Sequence, residues 1–177
     1  MKLVVLDRDG VINLDSEQYI KSPEEWTPIA GSLEAIASFT QAGYHVVVAT
    51  NQSGLGRGLF DMATLNAMHD KMHKAVNQLG GRIDAVFFCA HAQDAGCACR
   101  KPQPGMLLEI AARFNVALER VPAIGDSLRD LQAASAAGAR PILVLTGKGE
   151  QTLKAGGLPE GTEIYQDLAA AAVALAA

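Results

Sequence analysis

The stretch KLVVLDRDGVIN, residues 2–13, decides how the rest of the chain is read. Four apolar residues, Leu3 to Leu6, run directly into Asp7 and Asp9, with Arg8 between them and Gly10 behind. An unbroken apolar run this short suits a parallel strand buried on both faces. Two carboxylates at the end of such a strand repel each other unless solvent screens them on a turn or a cation sits between them.

The strand pattern recurs at YHVVVAT (44–50), AVFFCA (85–90), VPAIG (121–125) and PILVLT (141–146). Helical patterns fall between the runs, at about 31–42, 61–79, 104–114 and 127–137, with a last one near 166–176. In SLEAIASFTQAG (32–43) the apolar positions have helical spacing, and Gly43 suits the residue just past a helix end. Alternating strands and helices predict a doubly wound α/β fold with a mostly parallel sheet. TGKGEQTLKAGG (146–157) reads as a flexible loop, and the Ala-rich 169–177 as a helix end.

The chain of 177 residues is the length of one domain, expected to span 1–177. Hydrophobic residues at 49% and charged residues at 19% are ordinary globular proportions. A net charge of −4 argues against a broad grip on nucleic acid, and no apolar run approaches the ~18 residues of a membrane span. Met1-Lys2 leads straight into strand and acidic residues, with no apolar segment of a secretory signal. The expectation is a cytoplasmic monomer that binds neither nucleic acid nor membrane.

Polar residues gather where the predicted strands end. The first strand ends at Asp7, the second at Thr50-Asn51-Gln52-Ser53, and the fourth at Gly125-Asp126-Ser127. Parallel strands put these ends on one edge of the sheet, where open α/β folds bind ligands. Arg100 and Lys101 follow the third strand and can reach the same edge. Asp7, Asp9 and Asp126 are hard oxygen donors suited to Mg²⁺. Carboxylates, a dication, a lysine and a hydroxyl together favour phosphoryl transfer. One carboxylate can be the nucleophile, and a second, two residues along, the general acid and base. Singly, each feature has a plainer reading: LDRDG as a turn, Lys101 as a surface lysine, and Ser127 with Asp130 as a capping box. Their convergence on one edge is what points to a site.

All three cysteines lie in FCAHAQDAGCACRKP. Cys89, His91, Cys97 and Cys99 form a Cys₃His set suited to tetrahedral structural Zn²⁺. The alternative is three small hydrophobes and a surface histidine. Cys-x-Cys spacing does not suit a redox pair. Because Cys99 precedes Arg100 and Lys101, a zinc clamp on 89–99 would aim both cations at the cleft.

LDRDGVIN, TNQSG, RKPQPG and GDSLRD, in that order, resemble the four motifs of haloacid-dehalogenase-superfamily phosphatases, whose fold is Rossmann-like. The resemblance implies Asp7 as nucleophile, Asp9 as general acid/base, Thr50 and Lys101 at the phosphoryl group, and Mg²⁺ held by Asp7, Asp126 and the Asp9 carbonyl. Segments 10–43 and 54–84 are too small for a cap domain, so specificity falls to loops 15–19, 53–58 and the cysteine loop. With PEEWTPIAGSLEAI, TNQSGLGRGLF, CRKPQPGML and IGDSLRDLQAA added, residues 2–150 resemble the D-glycero-D-manno-heptose-1,7-bisphosphate 7-phosphatase family. That resemblance implies removal of the 7-phosphate, from the β-anomer, in nucleotide-heptose synthesis for lipopolysaccharide. Implied substrate contacts are Asp15, Ser16, Glu17, Gln18, Tyr19, Thr50, Asn51, Gln52, Ser53, Arg100 and Lys101, with Arg57 a further candidate for a second phosphate. Histidinol-phosphate phosphatase shares the motifs and remains an alternative, kept open by Asp15 and Glu17. A phospho-acceptor signalling domain is a more distant one, disfavoured by Asp9.

Overall fold

Six parallel strands form one sheet in the order β3-β2-β1-β4-β5-β6 in the computed structural model, which describes residues 1–177. They are β1 (Lys2–Leu6), β2 (Tyr44–Asn51), β3 (Ala85–Cys89), β4 (Pro122–Gly125), β5 (Arg140–Val144) and β6 (Glu163–Tyr165). The helices are α1 (Ser32–Gln41), α2 (Ser53–Gly56), α3 (Met62–Gln78), α4 (Gly105–Phe114), α5 (Leu128–Ala137), α6 (Gly149–Ala155) and α7 (Leu168–Leu175). The doubly wound parallel architecture expected from the alternating pattern is the one found.

Apolar runs occupy the strands because each strand is covered on both sides. Val4 and Leu6 pack with Ile36 and Phe39 of α1, Met68 and Met72 of α3, and Leu168 of α7. Leu3 and Val5 point the other way, into a cluster with Met106 and Ile110 of α4 and Ala133 and Ala134 of α5. Successive strand residues therefore serve opposite cores. A charged residue cannot sit in either core unpaired, so polarity is forced to the strand ends.

The chain runs outward from β1 through β2 to β3, then returns to place β4 on β1's other side. The crevice of a doubly wound sheet opens where the winding reverses, here between β1 and β4. Leu6 pairs with Ile124, and the Asp7 N–H donates to the Ile124 carbonyl at 2.9 Å. Asp7 and Asp126 thus leave adjacent strands side by side. Between β1 and β2 lie a short 3₁₀ turn and α1, and between β2 and β3 only α2 and α3. There is no cap domain over the strand ends, and no helix is long and apolar enough to cross a membrane.

Three elements differ from the sequence reading. Residues 146–157 are not an open loop, because Gly149–Ala155 form α6, with Gly149 and Thr152 buried. GEQTLKA has no apolar stripe to announce a helix. Its turn is held by polar contacts to the site: Thr146 Oγ1 donates to the Gly10 carbonyl (2.7 Å) and Thr152 Oγ1 to the Asp126 carbonyl (2.8 Å). The four-residue α2 and the three-residue edge strand β6 are too short to show a period. Gly43 does follow α1 in the left-handed region at φ 86°, the conformation glycine adopts most readily.

Candidate active site

The buried ammonium of Lys101, 6% exposed, sits at the centre of the strand ends. Its Nζ donates to the Ala49 carbonyl (2.8 Å) and lies 3.1 Å from Asp7 Oδ1 and 2.7 Å from Asp130 Oδ1. Burial opposes the cation, but the Asp130 and Asp7 carboxylates outweigh it and hold the pKa above the ordinary lysine value. Its backbone is clipped to β2, where Lys101 N–H donates to Asn51 Oδ1 (3.0 Å) and Asn51 Nδ2 to the Lys101 carbonyl (3.2 Å). This reciprocal amide pair fixes the loop between β3 and α4 over the site.

Asp130 is saturated. Its Oδ2 accepts from the Asp126 N–H, the Ser127 N–H and the Ser127 hydroxyl, at 3.0–3.1 Å, while Oδ1 holds Lys101. Ser127 and Asp130 form the expected capping box at the start of α5. Burial would raise the Asp130 pKa, yet Lys101 and the Ser127 donors bring it below the usual value. Oxygens of Asp7, Asp126 and Asp130 all lie within 4.8 Å of one another, close enough for one ion. With Asp130 spent on Lys101 and the cap, Asp7 and Asp126 are left with free lone pairs. The Asp9 carboxylate stands outside this cluster, so any ligand role for Asp9 falls to its backbone carbonyl.

Among the four carboxylates of Asp7, Asp9, Asp126 and Asp130, ion pairs are formed with just two side-chain cations, Lys101 and Arg8. Burial, then the neighbouring Asp130, pushes Asp7 well above the usual carboxylate range and Asp126 up to about 7. A divalent cation between them would favour the ionised form of both carboxyls. Asp126 is gripped by the Lys148 N–H on Oδ2 at 2.9 Å. Gly10 (φ 85°) and Gly147 (φ 55°) press so close that a Cβ on either would overlap its carboxylate. Only glycine fits there.

Asp9 is held differently. Its Oδ1 accepts from Arg8 Nε (2.8 Å) and Asn13 Nδ2 (2.9 Å), while Oδ2 has only Gln52 Nε2 at 3.4 Å. Gln52 also donates to Thr50 Oγ1 at 3.0 Å.

Of the residues expected from sequence, Asp7, Asp9, Asp15, Ser16, Glu17, Tyr19, Thr50, Asn51, Gln52, Ser53, Arg100, Lys101 and Asp126 line one cleft. Gln18 and Arg57 do not. Arg57 Nε donates to Gln93 Oε1 (2.8 Å), its guanidinium stands 5.9 Å from the Tyr19 ring centre, and Gln93 Nε2 donates to the Tyr19 hydroxyl (3.0 Å). One residue from each expected specificity loop thus joins a clasp at the rim. Gln93, Arg129 and Lys148 also line the cleft and had no sequence signal: each looks like an ordinary surface residue until the fold turns it inward. Arg8 is a further omission, hidden as the middle residue of the Asp-x-Asp stretch.

Cys89, His91, Cys97 and Cys99 bring four ligand atoms within 4.8 Å of one another. Cys89 Sγ lies 3.4 Å from His91 Nδ1 and 3.5 Å from Cys97 Sγ, and His91 Nδ1 lies 3.2 Å from Cys99 Sγ. Arms of about 2.1–2.3 Å around one ion put ligand atoms roughly 3.5–3.8 Å apart, so these three edges need little movement, while the Cys89–Cys99 edge, at 2.7 Å, would have to open. Burial raises the Cys97 thiol, but the Arg100 N–H and the surrounding thiols bring it down to about 6, while burial pushes Cys89 up to about 12.

Residues 2–129 match the family described as polynucleotide kinase 3 phosphatase, and residues 98–171 match the HAD-hydrolase-like family. The chain is 64% identical over 172 residues to D-glycero-beta-D-manno-heptose-1,7-bisphosphate 7-phosphatase of Bordetella bronchiseptica, covering 97% of this chain and 96% of that protein. It is 53% identical over 173 residues to the protein of that name from Pseudomonas aeruginosa, covering 98% and 97%. A crystal structure of D,D-heptose 1,7-bisphosphate phosphatase from B. bronchiseptica, complexed with magnesium and phosphate, superposes with a TM-score of 0.98 at 63% identity, covering 99% and 98%. The Burkholderia thailandensis structure of the same enzyme gives 0.80 at 59% identity, covering 98% and 97%.

Lys101→Met removes the one cation shared by Asp7 and Asp130. It should lower unfolding free energy at neutral pH by about 3 kcal/mol, the loss typical when one partner of a buried ion pair is deleted. Urea denaturation at pH 7.5 measures it, and a loss within the error of the extrapolation would contradict the central placement of Lys101.

Proposed function

Because the chain belongs to the D-glycero-β-D-manno-heptose-1,7-bisphosphate 7-phosphatase family, within the HAD-type hydrolases, we propose that it removes the 7-phosphate of the β-configured heptose bisphosphate. The observation that carries the proposal is the Asp7–Lys101–Asp126 cluster, on a scaffold so similar to one holding magnesium and phosphate.

Asp7 is the proposed nucleophile. Its Oδ1 is held by the Arg8 N–H (2.9 Å) and by Lys101, which fixes the carboxylate for attack on phosphorus. The aspartyl-phosphate bond forms as the phosphorus–O7 bond breaks, and Asp9 passes its proton to the departing sugar oxygen. Asp9 then takes a proton from water as that water attacks the acyl phosphate, releasing inorganic phosphate and free Asp7. Thr50 Oγ1 and Lys101 stabilise the phosphoryl oxygens. Asp7, Asp126 and the Asp9 carbonyl are the groups that would hold Mg²⁺, which supplies positive charge where the phosphoryl oxygens are most negative. The pairing of four carboxylates with only two side-chain cations, and the raised Asp7 and Asp126 pKa values, support that role.

Arg100 is the proposed partner of the distal 1-phosphate, since a guanidinium can grip phosphate oxygens in pairs. Arg57, engaged by Gln93 and Tyr19, is better suited to holding the loops than to touching substrate. Cys89, His91, Cys97 and Cys99 are proposed to hold structural Zn²⁺, stiffening the segment that ends in Arg100 and Lys101.

Phosphate release with Mg²⁺ tests the substrate. The kcat/KM for the β-heptose bisphosphate should exceed that for the α-anomer and for histidinol phosphate by orders of magnitude, with Asp7→Asn inactive on all three. Preference for histidinol phosphate would reassign the substrate, and turnover by Asp7→Asn would remove the nucleophile.

Mg²⁺ should stabilise the protein in a pH-dependent way. A carboxyl whose pKa rises on folding favours the native state below its unfolded value near 3.8, and that contribution is lost as pH climbs through about 7 for Asp126. A bound dication reverses the loss. The Tm gain from Mg²⁺ should therefore be larger at pH 8 than at pH 5, and equal gains would speak against Asp126 as a ligand.

Purified protein should carry one zinc per chain. Cys97→Ala should lose the zinc, melt at lower temperature and turn over more slowly with Mg²⁺ saturating. Zinc-free protein with a parent-like Cys97→Ala variant would end the clamp proposal.

A further inference from the structure

Arg8 is completely buried, an uncommon place for a guanidinium, because removing it from water is costly unless every donor finds a partner. Its donors are divided unevenly. Nε donates to Asp9 Oδ1 at 2.8 Å, and Nη2 lies 2.8 Å from the same atom without the geometry of a hydrogen bond. Nη1 turns away from the cleft and meets His69 Nε2 of α3 at 3.2 Å. Arginine only donates, so His69 Nε2 must be the acceptor, and the imidazole is neutral with its proton on Nδ1. Burial, followed by the Arg8 cation, pushes His69 down to about 4, consistent with that tautomer.

An ordinary arginine–carboxylate fork would bind both carboxylate oxygens. Here Arg8, with Asn13, places every short contact on Oδ1 and leaves Oδ2 toward the cleft, with only the 3.4 Å Gln52 contact. The two oxygens of Asp9 are therefore not equivalent. We propose that Arg8, braced by His69, is a positioning residue that pins Asp9 through Oδ1 so that Oδ2 alone carries the transferred proton. The inference rests on the reading of Asp9 as the general acid and base. It makes α3, which contributes nothing else to the cleft, a support of the chemical step.

A positioning role differs from a structural one in its dependence on the leaving group. A sugar alkoxide needs a proton as it departs, whereas p-nitrophenolate does not. Rapid-quench single turnovers with Mg²⁺ would compare phosphorylation by the heptose bisphosphate and by p-nitrophenyl phosphate in Arg8→Met, His69→Leu, His69→Gln and Asp9→Asn. Since general acid catalysis is worth about 10²–10⁴-fold, the sugar reaction should slow by roughly 100-fold in Arg8→Met and roughly 10-fold in His69→Leu, and the aryl reaction by less than about 3-fold. KM for the sugar should change little. His69→Gln, whose amide oxygen can accept from Nη1, should regain most of what His69→Leu loses. His69→Leu keeps the test open if Arg8→Met does not fold. Equal slowing of both substrates, or no slowing, in the folded variants would overturn the positioning role while Asp9→Asn still discriminates between leaving groups. If Asp9→Asn slows both substrates alike, the general-acid reading itself fails, and this inference fails with it.

Discussion

Compensation of negative charge at the carboxyl end of β1 is the constraint on which the surrounding structure depends. A parallel strand buried on both faces can place acidic groups only at its tip, and there they crowd. The Lys101 ammonium answers Asp7 and Asp130, and the Arg8 guanidinium answers Asp9. Each cation is brought in by a different part of the fold. Asn51 clips the Lys101 backbone to β2, and His69 braces Arg8 from α3. The start of α5 and the turn into α6 supply backbone N–H groups to Asp130 and Asp126. Asp126 is held by a backbone N–H and by no side-chain cation, and it lies beside Asp7, where both carboxyls have lone pairs to spare.

The same arrangement separates tasks among four neighbouring aspartates. Asp130 is exhausted by donors and serves the scaffold. Asp126 is enclosed by Gly10 and Gly147 and held by the Lys148 N–H. Asp7 is fixed through one oxygen, and Asp9 is held through Oδ1 with Oδ2 toward the cleft. Identical side chains acquire distinct chemistry because burial and donor geometry differ at each, and side-chain pKa values follow environment more than residue type.

With no cap domain, the rim of the cleft is made of loops, and loops need fastening if they are to discriminate between substrates. Gln93, from the Cys/His segment, bridges Arg57 and Tyr19 and so joins all three rim loops. Gly56 permits close packing of the 53–58 loop on the backbone of Ala90 to Ala92. A Cβ there would collide with main-chain atoms that cannot easily move. His91 of the Cys₃His cluster belongs to that contacted backbone.

Much of this was legible in the residues alone. Apolar runs of strand length specify a parallel sheet, since only burial on both faces explains them, and a parallel sheet sends Asp7, Thr50 and Asp126 to one edge. The four clustered cysteine and histidine ligands are equally local. Other features depend on residues far apart in the chain. Helix α6 has no apolar period, because its turn is held by contacts to Asp126 and Gly10 rather than by a core. Arg57 looks like a phosphate ligand by type, yet the fold gives its guanidinium to Gln93 and Tyr19. Arg8 and His69 are 61 positions apart, and nothing in either neighbourhood announces the pair. Periodicity and local spacing thus determined the sheet, the cleft edge and the acidic set. Only the tertiary structure decided which carboxylate is spent, which is pinned and which is left for a cation, because those outcomes depend on donors delivered from distant segments to the tips of the strands.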